Sequence, residues 1–211
     1  MYENRVYLKN NKSWHQEDSL YKANQVSKTL ERNQIKFKSC LDIGCGAGLT
    51  TEILAKRYKN SSFHGTDISK DAAGFWKMRE NLDNLSYSHG AEINSKGRYD
   101  LVLCLDVFEH VEDYFGFLRG IQQFGSNFIF NIPLDMNVLK ILTNGIRHVR
   151  EEVGHLHYCN KYSALTTLKD CGYKIENYSI STAFLKVPPR NFRQAAILPF
   201  RLFSICLGTN L

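Results

Sequence analysis

No run of apolar residues in this 211-residue chain approaches the length that crosses a bilayer, and Met1-Tyr2-Glu3-Asn4-Arg5 lacks the apolar core of a secretory signal. A cytoplasmic protein without a transmembrane segment is expected. The six cysteines, at 40, 45, 104, 159, 171 and 206, form no Cys-x-x-Cys pair, so neither a zinc site nor a disulfide framework is supported. No internal repeat and no low-complexity segment is visible. No basic stripe interleaved with aromatics appears either, which argues against a nucleic-acid partner. The net charge of +6 is unevenly spread: residues 1–139 hold 17 Lys+Arg against 17 Asp+Glu, and residues 140–211 hold 10 against 4. An anionic small molecule, an acidic membrane surface and plain solubility all satisfy that excess.

With 43% hydrophobic and 12% aromatic content the chain can bury one good core. Leu41-Asp42-Ile43-Gly44-Cys45-Gly46-Ala47-Gly48 is its most informative stretch, a short apolar run feeding three alternating glycines. It reads as a strand turning abruptly into a helix, with no side chain between the turn's backbone and a ligand. The first amides of the following helix point back at that ligand. A second strand, Ser62-Phe63-His64-Gly65-Thr66-Asp67, ends in an acid about twenty residues further on, where a carboxylate can accept from both hydroxyls of a ribose. Capping of the next helix would also explain Asp67 alone. A dinucleotide fingerprint needs Gly-x-Gly-x-x-Gly, but its third glycine falls on Leu49.

Strands are expected at 39–44, 62–67, 85–89, 99–105 and 127–132, and helices at 49–59, 69–82 and 112–124. A last pair follows, helix 161–170 and strand 173–180, with Gly172 as the stop between them. Ahead of the sheet, Leu20, Ala23, Val26 and Leu30 mark a helix from Asp18 to about Arg32, with Asp18 or Ser19 as N-cap. Such alternation builds a parallel sheet covered on both faces. From Phe184 onward, Pro188-Pro189 and Pro199 read as loop and short helix, so a final strand is expected to be displaced or to lie beyond Leu211.

The Asp-x-Gly-x-Gly-x-Gly form at 42–48 resembles motif I of the class I S-adenosylmethionine (SAM) dependent methyltransferases. Residues 99–111 resemble that family's fourth strand with its acidic-His turn, and Phe128-Ile129-Phe130-Asn131-Ile132-Pro133 its fifth. The resemblance covers about residues 39–180. It implies an α/β, Rossmann-like, doubly wound sheet of the seven-stranded, mostly parallel type, with an N-terminal lid helix and an incomplete C-terminal hairpin. The corresponding divisions are 1–38 (lid and helical segment), 39–182 (SAM-binding core) and 183–211 (apolar-basic extension). Carried over residue by residue, Asp42, Gly44, Cys45, Gly46 and Gly48 wrap the amino-acid part of SAM. Asp67 takes the ribose, Ile68 covers one adenine face, Ala91 and Glu92 flank the adenine, and Leu105 contacts the methionine end through its backbone. Residues 13–18 would line the lid, unless Trp14 only staples the helix to the core.

The methyl of SAM is already activated, so the protein must align an acceptor and, for a hydroxyl, help remove a proton. His110, in Asp106-Val107-Phe108-Glu109-His110, and His155 and His157, in Gly154-His155-Leu156-His157-Tyr158, are the candidate catalytic groups, because both segments fall at the carboxyl edge of the sheet. A purely structural account has Glu109 and His110 capping the next helix and His157 packing. The Asp-x-x-Glu-His turn with a later His also resembles metal-dependent ribose-methylating small-RNA methyltransferases and ubiquinone-pathway O-methyltransferases. There the equivalent acids and histidines hold a divalent ion. The expectation here is a metal-free site, with Asp106, Glu109, His110 and His155 as the alternative ligand set. The function so implied is methyl transfer from SAM to a small-molecule acceptor, an anion among the candidates, at a hydroxyl oxygen, releasing S-adenosylhomocysteine (SAH). A catalytically silent SAM-binding module is the alternative.

Overall fold

The structure, a computed structural model, describes residues 13–14, 16–90 and 98–181. Its elements are α1 (Ser19–Arg32), β1 (Ser39–Ile43), α2 (Leu49–Arg57), β2 (Ser62–Asp67), α3 (Lys70–Trp76), β3 (Leu85–His89), β4 (Tyr99–Leu105), α4 (Tyr114–Ile121), β5 (Gly125–Asn131), α5 (Val138–Leu142), α6 (Gly145–Glu152) and α7 (Lys161–Asp170). The strands pair in parallel in the order β3-β2-β1-β4-β5. The chain therefore builds outward from β1 to β3, then returns to lay β4 on the other side of β1. The carboxyl ends of β1 and β4 flank that reversal, where open α/β sheets leave a crevice.

Both faces of the central strands are buried, which is why β1 and β4 read as nearly continuous apolar runs. Cys40, Leu101, Leu103 and Leu105 pack toward Ala23, Val26 and Leu30 of α1 and Leu54 and Ala55 of α2. Leu41, Ile43 and Val102 pack on the opposite face with Leu118 and Ile121 of α4 and Ala164 and Leu168 of α7. Leu20, expected on the inner stripe of α1, is 56% exposed; Ser19, Ala23, Val26, Ser27 and Leu30 are the residues turned inward. Asp18 is the N-cap, though its side chain makes no capping bond.

Two expectations need correction. The helix expected over 69–82 ends at Trp76, and the chain tightens into three-residue turns, Met78 N donating to Phe75 O and Arg79 N to Trp76 O. Residues 173–180 form no strand. Tyr173 instead packs on β5 through its side chain, its ring edge-on to Phe128 and Phe130 and its hydroxyl donating to Leu118 O at 2.7 Å. The sheet has five strands among the described residues, all parallel. The C-terminal stretch beyond 181, where a displaced last strand was expected, lies outside the described residues.

Candidate active site

The glycine turn follows β1 directly. Gly44, Gly46 and Gly48 all have positive φ, at 72°, 55° and 79°, so each needs the left-handed backbone that side chains resist. Gly44 N and Cys45 N donate to Thr66 O at the end of β2. Two aromatic side chains that sequence reasoning missed brace the turn from β3 and α3. Tyr87 donates its hydroxyl to Gly48 O at 2.7 Å, Trp76 donates Nε1 to Gly46 O at 2.9 Å, and their rings stack at 5.2 Å. A Cβ on Gly65 would lie 2.7 Å from the Tyr87 ring, so this strand glycine makes room for the brace. Trp14 lies over Gly46 on the cleft side, its ring near Phe75, and the neighbouring Gln16 accepts from Arg79. The segment before α1 thus covers the turn.

Asp67 stands at the carboxyl end of β2. One oxygen accepts from Gly46 N at 2.9 Å and the other from Ser69 N at 2.8 Å, so the carboxylate ties the turn to the start of α3, while each oxygen keeps further acceptor capacity. Burial raises its pKa against the lowering effect of those two amides. Next to it Ile68 is 65% exposed at the rim of the cleft. Asp42 and Leu105 are buried and border the same cleft, and Cys45 lies between the turn glycines. Ala91 and Glu92 lie outside the described residues.

Beyond β4 the chain makes a short helical turn, Phe108–His110. Backbone bonds join it to the segment after α6: Leu156 N donates to Glu109 O at 2.7 Å and His157 N to the same oxygen at 3.2 Å. His110 donates Nδ1 to Gly154 O at 3.3 Å, and its ring meets the His155 ring edge-on at 4.7 Å. His155 donates Nδ1 to Asp135 at 2.5 Å, and the other oxygen of Asp135 is taken by Lys140. Burial pushes the Asp135 carboxyl up, but the hydrogen bonds from His155 and Lys140 outweigh it and hold the pKa below the ordinary value. Asp135 was not anticipated, and a lone acid after Pro133 carries no local signal that could have marked it.

One residue of the expected constellation turns away, and another is taken up by ion pairing. His157 donates Nε2 to Val111 O at 2.8 Å and packs on Tyr114 at 4.3 Å, whereas His110 and His155 line the cleft. Asp106 accepts from Asn131 at 2.6 Å and pairs with Lys22 of α1 at 2.6 Å. Burial works against the Lys22 charge, but the Asp106 carboxylate outweighs it and raises the lysine pKa. Glu109 is 1% exposed with neither carboxyl oxygen hydrogen-bonded, and burial, with Asp106 nearby, pushes its pKa well up. One potential ligand atom from each of Glu109, His110 and His155 falls within 4.8 Å of the others.

The glycine turn, Asp67 and Ile68 border the same extended cavity as Asp106, His110 and His155, at the carboxyl ends of β1, β2 and β4. Residues 41–124 match the family model described as a methyltransferase domain, and the matched stretch spans β1 to β4 of the parallel sheet with the glycine turn. The chain is similar to the mitochondrial ubiquinone biosynthesis O-methyltransferase of Schizosaccharomyces pombe, 35% identical over 100 residues, which are 44% of this chain and 36% of that one. It is equally similar, 35% over 99 residues, to (S)-coclaurine N-methyltransferase of Thalictrum flavum, covering 44% of this chain and 27% of the relative. The chain thus spans about a third of the length of these relatives. In fold it resembles the SAH-bound magnesium protoporphyrin IX methyltransferase of Synechocystis, with a TM-score of 0.59, 20% identity and coverage of 87% of this chain and 88% of that one.

Proposed function

We propose that this domain binds SAM along the glycine turn and transfers its methyl group to a hydroxyl of a small-molecule acceptor, with His155 as the base, His110 beside it, and SAH as the product. The observation that carries this reading is the cavity itself, which the three-glycine turn with Trp14 over Gly46 borders on one side and a pair of imidazoles on the other. The bound cofactor supplies an electrophilic methyl on sulfur, whose bond to that sulfur breaks as the acceptor oxygen's lone pair forms the new one. Asp67 holds the ribose, the exposed Ile68 covers the adenine, and Asp42 and the backbone of Leu105 border the amino-acid end. Trp14 closes the cradle from the lid side. The hydroxyl proton passes to His155 Nε2, the nitrogen its bond to Asp135 leaves open. The basic excess of residues 140–211 supports an acceptor carrying negative charge.

Two measurements test this. Asp67→Ala is expected to weaken SAM by about 1.5 to 3 kcal/mol in calorimetry, the range of hydrogen bonds to charged groups, while NAD gives no thermal shift with the parent protein. Methyl-labelled SAM incubated with a metabolite extract should label an oxygen, and His155→Ala should cut that labelling by about a hundredfold or more, the lower range of general-base help. Unchanged SAM affinity or unchanged labelling would overturn the assignment concerned.

Glu109 favours a second reading. Two buried, unpartnered carboxyl oxygens beside two imidazoles are what a divalent ion would satisfy, so Glu109, His110 and His155 fit as ligands that would polarise the acceptor hydroxyl. Asp106, committed to Lys22 and Asn131, does not join them. Manganese binding by calorimetry that disappears in Glu109→Gln would support this reading, and no binding by the parent protein would remove it.

A further inference from the structure

We infer that Asp135 is a positioning residue for the transfer, fixing the proton of His155 on Nδ1 so that Nε2 enters the cleft as a lone-pair acceptor. This deepens the proposed role of His155 and rests on it. Asp135 is 4% exposed, and a carboxylate so enclosed persists only when its oxygens are satisfied. Both are: His155 Nδ1 lies 2.5 Å from Oδ2, and the Lys140 ammonium of α5 occupies Oδ1. An ionised carboxylate can only accept, so the ring nitrogen facing it must carry hydrogen. A neutral imidazole has one N–H and one lone pair, and the lone pair is therefore left on Nε2.

The surroundings hold the ring in this attitude. The carbonyl of His155 accepts from the Tyr158 hydroxyl at 3.1 Å, which restrains the backbone, and the ring meets His110 edge-on. Lys140 keeps Asp135 from swinging toward solvent. Without the acid, the imidazole is free to place its hydrogen on Nε2, where it could neither take a proton from a hydroxyl nor bind a cation. The same nitrogen thus serves either reading of the site.

The test is the side-chain nitrogen spectrum of the full chain with nitrogen-15 histidine, followed upward in pH until the His155 signals stop changing. His155→Gln identifies the His155 signals by their loss. The parent protein should show the hydrogen on Nδ1, and Asp135→Asn should move it to Nε2 or leave it exchanging between the two. Labelling of the metabolite extract by methyl-labelled SAM should fall about 10- to 100-fold in Asp135→Asn, with SAM affinity held within about twofold. Placed on top of His155→Ala, the same change should add no further loss, which a merely structural role would not reproduce. Hydrogen on Nε2 in the parent protein, or losses that multiply in the double variant, would overturn the inference. If Asp135→Asn does not fold, the parent spectrum still decides. Full labelling by His155→Ala would remove the base itself and leave the tautomer measurement to judge the pairing separately.

Discussion

Asp42 is enclosed in the central strand, accepts from Thr51 Oγ1 at 2.6 Å, and has its carboxyl pushed up to about 6 by burial. Between the unfolded value near 3.8 and about 6 the folded state binds the extra proton. Stability therefore falls as pH rises through that window, and above it the full penalty applies, roughly 3 kcal/mol for a shift of about two units. Asp42→Asn keeps an acceptor for Thr51 and removes the titration. Its melting temperature should lose this group's fall between about pH 4 and pH 6, and a slope identical to the parent's would show that Asp42 is not the source. The same burial favours a cationic neighbour, since each positive charge brought to the turn offsets the cost of ionising Asp42.

The brace on the glycine turn belongs to elements rather than to single residues. β2 contributes Gly65 as space, β3 contributes Tyr87, and α3 contributes Trp76, and the three meet only because β2 and β3 run in register with Gly65 opposite Tyr87. Tyr87→Phe retains the ring and deletes only the bond to Gly48 O. It should cost about 0.5 to 1.5 kcal/mol in denaturant unfolding, and because Gly48 precedes α2, SAM affinity should fall with it. Equal stability and equal affinity in the variant would mean the turn holds its shape without the phenol. The shortened α3 fits the same picture: Trp76 is the last helical residue, and its indole is spent on Gly46 O.

At the scale of the molecule, the reversal between β1 and β4 makes one cleft from segments far apart in sequence, and the stretch after α6 seals it. His157 is part of that seal, bonded to Val111 O 46 positions away and packed on Tyr114. His157→Ala should lower stability by about 1 to 3 kcal/mol through the lost bond and contact while keeping most of its methyl transfer per folded molecule. A variant that melts like the parent and loses transfer would return His157 to the chemistry.

What the sequence determined by itself is whatever depends on local physics. Strands at 62–67, 85–89 and 99–105 carry the bounds expected of them, because buried parallel strands need unbroken or alternating apolar runs. The glycine turn was legible because positive φ is a demand each residue meets or fails alone. The place of Asp67 at the end of β2 was legible too, from the strand pattern that precedes it. The folded contacts alone decided that His110 and His155 but not His157 border the cavity, that Asp135 and Lys140 stand behind His155, that Lys22 pairs with Asp106, and that Tyr173 packs on Phe128 and Phe130 instead of extending a strand. Those outcomes turn on hydrogen bonds and ring contacts between residues many positions apart, and a side chain two places from its neighbour shows no preference between them until the backbones have met.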